Sequence, residues 1–256
     1  MRAFVVTKYK EPPQEADVPE PVVGEHDVLV RVDAAGLNPL DEGIRAGGFK
    51  QILQYRLPLI LGNDLANTVI RTGAKVREFK PDDEVYARPD KDRIGTFAER
   101  IAVAEADLAL KPASISMEEA GSLPLVALTA WQPLVERGNL EPGQKVLIHA
   151  GGKAIGIAGP PDANFARESR LNPLLLLAIT GLGSKIRTQA RKLGVSYEFL
   201  FMRASGDQLR QITALVDQGV LRPLVGKVFD IAQTPQAMQS IAKGGIRGKG
   251  VVTVTG

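Results

Sequence analysis

Lys145-Val146-Leu147-Ile148-His149-Ala150-Gly151-Gly152-Lys153-Ala154-Ile155-Gly156-Ile157-Ala158-Gly159 decides how this chain folds. Its first six residues are a short apolar run ahead of glycines, the pattern of a buried parallel strand. A nucleotide-binding βαβ unit would next place a glycine-rich turn and a helix, with a pyrophosphate on the helix N-terminus. Instead Gly151-Gly152 leads at once into a second apolar strand, Lys153 to Ala158. Consecutive parallel strands need a crossover of about a dozen residues or more, whereas a Gly-Gly link makes a tight antiparallel turn. The stretch predicts a hairpin or one long strand. The binding turn and its helix are missing.

Composition bounds the rest. A chain of 256 residues holds one large domain or two modest ones. Hydrophobic content of 44% and charge of 24% are those of a soluble globular protein. A dispersed net charge of +3 is too weak to argue for nucleic acid. With no cysteine there is no disulfide and no thiolate metal site. Met1-Arg2 enters a strand without a signal-like segment, and the apolar run Leu174 to Ile179 is too short to span a bilayer. A cytoplasmic location is the expectation.

Outward from the central stretch, Met1 to Tyr9 and Asp27 to Ala34 alternate apolar and polar residues, as half-buried strands do. Pro12, Pro13, Pro19 and Pro21 stiffen the connection between them. Asp64 to Arg71, Asp83 to Arg88 and Thr96 to Val103 read as further short strands, so the first 110 or so residues predict an all-β unit. Ser114 to Glu119 is a helix start, followed by a helical segment through Leu134 and Val135 to Glu136. Gly181 to Lys185 lacks the leading glycine and spacing of a phosphate loop and predicts a helix break. Ser205 caps a helix running to Val220, with Leu209, Ile212, Leu215 and Val216 on one face. Thr234 to Ala242 is another helix, and Lys249 to Thr255 a closing strand. A β unit followed by helix and buried strand predicts two domains.

Four motifs occur in order: Phe79-Lys80-Pro81-Asp82-Asp83-Glu84-Val85, Gly95-Thr96-Phe97-Ala98-Glu99, Leu128-Thr129-Ala130-Trp131 and Gly143 to Gly151. Gly159-Pro160-Pro161-Asp162, Tyr197 to Arg203 and Gly248 to Val252 continue the series. Together they resemble the medium-chain dehydrogenase/reductase superfamily, in its zinc-independent quinone-oxidoreductase-like branch. The resemblance implies a mixed α/β fold: a GroES-like β-rich catalytic domain over 1–122 and 204–256, and a Rossmann-type domain over 123–203. That second domain lacks several central βαβ units. At about 30 residues per unit, roughly 60 to 90 residues are gone, and the sequence does not say whether nature or an engineer removed them.

Zinc-dependent relatives carry cysteine near Asn38 and Gly-His-Glu where this chain has Gly62-Asn63-Asp64. Asn63 is a poor zinc ligand, and His26 and His149 stand apart in sequence, so no metal is expected. His149, at a strand end, reads as a packed residue. Without zinc, the resemblance implies hydride transfer from NADPH to a small-molecule acceptor, a quinone or activated alkene or carbonyl. It places Asn38 and Thr129 as catalytic candidates that hold the carboxamide or a developing oxyanion. Asp41, Asp64, Gly151, Gly152, Gly159, Phe199, Phe201 and Lys249 are cofactor-binding candidates. Each has a plainer reading: Asn38-Pro39 is a turn signature, Asp64 satisfies loop amides, Thr129 caps a helix turn, and alternating aromatics are core.

The missing turn sets these roles against a second reading, a catalytically dead, internally deleted remnant or scaffold that does not bind dinucleotide. NADPH binding is expected to be weak or lost, because the pyrophosphate has no helix N-terminus to sit on. Arg167 to Gly194 resembles a helical insertion over the substrate cleft. Its Lys185, Arg187, Arg191 and Lys192 leave membrane-surface binding as a minor alternative, with no stable insertion. Removed strands expose sheet edges, so self-association into a homo-oligomer, or marginal stability, is expected; a sharp monomer peak in light scattering with cooperative unfolding would count against it.

Overall fold

The computed structural model describes residues 1–141, 152–157, 161, 165, 173–192 and 194–254. The chain divides into two compact units, the first made of Met1–Leu128 with Arg203–Gly256 and the second of Thr129–Met202.

In the first unit, β1 (Arg2–Val6) pairs antiparallel with β2 (Gln14–Asp17) and later with β4 (Leu59–Ile60). The spine of the unit is β3 (Asp27–Gly36), whose Val28, Val30, Val32 and Ala34 are fully buried. Ten residues are enough for it to carry two partners along one edge. Asp27 to Arg31 pair with β7 (Arg100–Ala104), and Ala34 to Gly36 pair with β12 (Lys249–Thr253). The other edge takes β5 (Leu65–Thr72), with register shifts after Leu29 and Val32. Such bulges bend a strand and increase its twist, which lets β3 serve both neighbours. Beyond β5 come β6 (Glu84–Ala87) and β8 (Leu108–Leu110), and β11 (Val225–Asp230) runs parallel to β12 at the far side.

The expectation of an all-β first unit is corrected by helix α1 (Pro39–Arg45). Asn38-Pro39 is not a turn but a helix start. Proline at the first helical position costs no needed N–H, and Asp41 accepts the N–H of Asn38 at 2.8 Å. Helix α2 (Met117–Gly121) follows, capped by Ser116 Oγ, which accepts from Glu119 N at 3.2 Å. It lies so close to β3 that a Cβ on Gly36 would stand 2.3 Å from the carbonyl oxygen of Gly121 and 2.9 Å from Cβ of Asp64. Only glycine permits that approach.

Helix α3 (Pro124–Trp131) passes into a π-helical turn, Gln132–Arg137. Pro133 has no N–H to give the carbonyl four residues back, that of Thr129, and a wider turn accommodates the loss. In the second unit, β9 (Gly152–Gly156) is the strand expected from Lys153 to Ala158; residues 142–151, including the first arm of the expected hairpin, lie outside the described residues. β9 pairs in parallel with β10 (Val195–Phe199), from Gly152 opposite Val195 to Gly156 opposite Phe199. The crossover between them carries α4 (Pro173–Lys192), so these elements form a βαβ unit.

Helix α4 corrects the break expected at Gly181 to Lys185, since it runs through both glycines. Each interior glycine costs about 1 kcal/mol against alanine, but Leu174 to Ala178 on one side and Lys185, Arg187, Gln189, Ala190, Arg191 and Lys192 on the other are good helix formers. Gly183 also allows a close approach, because a Cβ there would lie 3.0 Å from the carbonyl oxygen of Pro161. Arg187 Nη2 reaches back about two turns and donates to the carbonyl of Thr180 at 2.7 Å.

The chain returns to the first unit with α5 (Gly206–Asp217), capped as expected by Ser205, and α6 (Thr234–Lys243), which ends on left-handed Gly244. Buried Leu209, Ile212 and Val216 form the inner face of α5, and Tyr86 of β6 donates to the carbonyl of Leu209 at 2.7 Å.

Candidate functional site

Four of the sequence candidates meet in the first unit, from positions as distant as 38 and 249. Asn38, at the start of α1, and Asp64, just ahead of β5, are both fully buried, and Asn38 Nδ2 donates to Asp64 Oδ2 at 2.9 Å. Lys249, the first residue of β12, sends its Nζ to Asn38 Oδ1 at 2.5 Å and to Asp64 Oδ2 at 3.1 Å. The other oxygen of Asp64 accepts the N–H of Leu125 at 2.6 Å, so the carboxylate also anchors α3. A charge taken out of water is tolerated only when paired and hydrogen-bonded, and Asp64 has both.

Asp41 forms a second layer. Its oxygens accept from Asn38 N at 2.8 Å, Gly62 N at 3.2 Å and Asn63 Nδ2 at 2.7 Å, all neutral donors. Burial pushes its carboxyl up to about 6, against the pull of Asn63, Asn38 and the charge of Lys249; the charge of Asp64 adds to the rise. Behind Asn63 lies Arg88, 1% exposed, with Nη1 on the carbonyl of Pro89 at 2.8 Å and Nη2 at 3.5 Å from Asn63 Oδ1. Burial lowers the basicity of this guanidinium, and its Nε has no partner. Sequence reading missed Arg88, because nothing in Val85-Tyr86-Ala87-Arg88 distinguishes it from a charged residue closing a strand.

A folded-state carboxyl raised from 3.8 to about 6 binds its proton more tightly in the native protein. Its contribution to stability is therefore fully present below pH 3.8, falls as pH rises toward 6, and is flat above that. Two pH units correspond to about 3 kcal/mol as an order of magnitude. The stability difference between wild type and Asp41→Asn, from urea unfolding at each pH, should fall across this window and stay level from about pH 7 to 8. A pH-independent difference would contradict the assignment.

The remaining candidates belong to the second unit or fall outside the described residues. Thr129 is half-buried on α3. Phe199 and Phe201 each lie 5.3 Å from Phe165, the first edge-on and the second tilted, forming an aromatic cluster with Phe165 nearly buried. Phe199 and Phe201 are themselves half-buried, and Leu200 between them is buried. Gly152 is the first residue of β9; Gly151, Gly159 and His149 lie outside the described residues.

Among the described residues, neither zinc nor a dinucleotide pyrophosphate finds donors that fit it. Zinc takes thiolate, imidazole or carboxylate, yet the chain has no cysteine, and the amides of Asn38 and Asn63 are engaged with their neighbours. Among the described residues no group of three or more His, Asp or Glu could hold a metal ion. A pyrophosphate is held by the N–H groups of a helix that follows a glycine turn, but Gly152 already opens a strand.

Comparison with known proteins agrees with this architecture. Residues 24–113 match the alcohol dehydrogenase GroES-like domain, and residues 134–252 match a family described as zinc-binding dehydrogenase. The mitochondrial NAD(P)H oxidoreductase RTN4IP1 of Danio rerio is 27% identical, over 90% of this chain and 84% of its own length. The chloroplastic NADPH-dependent alkenal/one oxidoreductase of Arabidopsis thaliana is 37% identical, over 56% of this chain and 38% of its own. The solved quinone oxidoreductase of Coxiella burnetii superimposes with a TM-score of 0.78 at 22% identity, covering 100% of this chain and 99% of its own.

A GroES-like β domain joined to a βαβ unit is the architecture of the medium-chain dehydrogenase/reductases, and the chain belongs to that superfamily, in its quinone-oxidoreductase-like branch. It is a shortened member. The alignment with the Danio rerio protein runs over 326 positions, whereas 90% of 256 residues is about 230, so about 95 positions of the relative face no residue here. At about 30 residues per βαβ unit, that is about three units. Among the described residues no helix is long and apolar enough to cross a membrane.

Proposed function

We propose that this chain is a zinc-free, shortened member of its oxidoreductase family that keeps the half recognising a small quinone or activated alkene or carbonyl acceptor, and does not hold a dinucleotide. The observation that carries this reading is the start of β9 at Gly152, in the place where a cofactor domain needs a turn and a helix N-terminus. In this reading Asn38, Asp64 and Lys249 are the polar groups of the acceptor side, with Asp41 holding Asn38 and the 62–63 loop in place. The protein's residues orient and polarise the acceptor oxygen; hydride supply is the part that is lost. A cytoplasmic location belongs to the same proposal, although the relatives named above are mitochondrial or chloroplastic.

A second reading, an active NADPH-linked reductase, draws on the intact Asn38–Asp64–Lys249 centre and on relatives that are NAD(P)H oxidoreductases. Consumption of NADPH in the presence of a simple quinone or an enone separates the two. The proposal expects no turnover above the protein-free rate. Steady turnover, abolished by Asn38→Ala and unaffected by a zinc chelator, would establish the second reading instead.

A further inference from the structure

Lys249 is the one member of the Asn38–Asp64–Lys249 centre that reaches the surface. Its side chain is 13% exposed, whereas that of Asp64 is 0% exposed and Asn38 is fully buried. An ammonium has three donors. Two are assigned, to Asn38 Oδ1 and Asp64 Oδ2, which fix the head group from two sides. Asp64 accepts three hydrogen bonds, two at Oδ2 from Asn38 and Lys249 and one at Oδ1 from Leu125 N, and is closed to solvent, as is Asn38. A ligand approaching this centre therefore meets the third N–H of Lys249.

The charges around it select the class of ligand. Lys249 is already paired with the buried carboxylate of Asp64, and Asp41 lies one layer behind. A carboxylate or phosphate brought to the same ammonium would face the Asp64 charge at close range, where repulsion in a poorly solvated site is strong. A neutral carbonyl oxygen meets no such penalty and accepts a charge-assisted hydrogen bond. We propose that Lys249 is a ligand-binding residue that donates to the carbonyl oxygen of a neutral enone or quinone, in the absence of any dinucleotide. This rests on the acceptor-side reading above and adds the residue and the charge class of the ligand.

The test uses the full-length protein with 13Cε-labelled lysines, with the Lys249 signal assigned by its disappearance in Lys249→Arg. Without NADPH, 2-cyclohexen-1-one should shift that signal saturably, while cyclohexene and inorganic phosphate should leave it in place. A hydrogen bond to a charged donor is strong enough that Lys249→Met should weaken enone binding about tenfold or more. Lys249→Arg, which keeps a cationic donor, should stay within about threefold. An unmoved Lys249 signal, a shift with phosphate, or wild-type enone affinity in Lys249→Met would each overturn the proposal. If Lys249→Met does not fold, the wild-type titration decides alone. Because no dinucleotide is present, the outcome is independent of whether the chain binds NADPH.

Discussion

Replacing Asp64 by leucine is expected to remove about 3–5 kcal/mol of stability, the usual consequence of breaking one side of a buried ion pair. The carboxylate is fully buried and accepts three hydrogen bonds, from Asn38, Lys249 and Leu125. Leucine is larger than aspartate and accepts nothing. The backbone N–H of Leu125 and the amide of Asn38 lose their acceptor, and the Lys249 ammonium loses its counter-charge. Domains are stable by only about 5–15 kcal/mol, so a large part of the total is at stake. Urea unfolding should show a lower midpoint with an unchanged slope. Asp64→Asn keeps one acceptor oxygen and should lose less. A leucine variant within about 1 kcal/mol of wild type would mean that the centre contributes little to folding.

Gly62→Ala is the second large effect, expected at about 3 kcal/mol or more. Two terms add. Gly62 has φ +106, in the region that side chains rarely adopt, and such strain costs about 1–3 kcal/mol. A Cβ there would also fall 2.1 Å from Thr96 Oγ1 and 3.0 Å from the backbone nitrogens of Thr96 and Phe97, and overpacking costs about 1–3 kcal/mol more. The second term is separable. Combining Gly62→Ala with Thr96→Ala removes the closest clash and leaves the backbone strain, so the double variant should recover part of the loss. Full recovery would show that the backbone is at ease; none would show that Thr96 is not the obstacle. Gly62 also donates to Asp41, so its backbone geometry bears on the candidate site.

Much of this was legible in the chain, and the reasons are local. Val28, Val30 and Val32 alternate as a half-buried strand should, and β3 is where they predict it. Ser205 and Ser116 are side-chain caps at the helix starts that they mark. The mixed architecture followed from the ordered motifs and the β-then-helix sequence. Helix α1 was misread because Asn-Pro marks turns and helix starts alike, and only Asp41, three residues on, tells them apart. The glycines of α4 were misread because a close approach by Pro161 is a tertiary fact. The polar centre is of the same kind. Sequence named Asn38, Asp41, Asp64 and Lys249 as candidates, but the hydrogen bond between Lys249 and Asn38 spans 211 positions, and no local pattern encodes it. Arg88 left no trace for the same reason.

A family member whose post-glycine segment is the strand β9 lacks the place where its family's cofactor is held. A direct titration of the purified protein with NADPH, following cofactor fluorescence, tests it most directly. No saturable change is expected up to millimolar NADPH, and no rise in melting temperature, since only a ligand bound to the native state stabilises it. Saturable binding at micromolar NADPH would mean instead that the remaining residues hold the dinucleotide without the glycine turn and its helix.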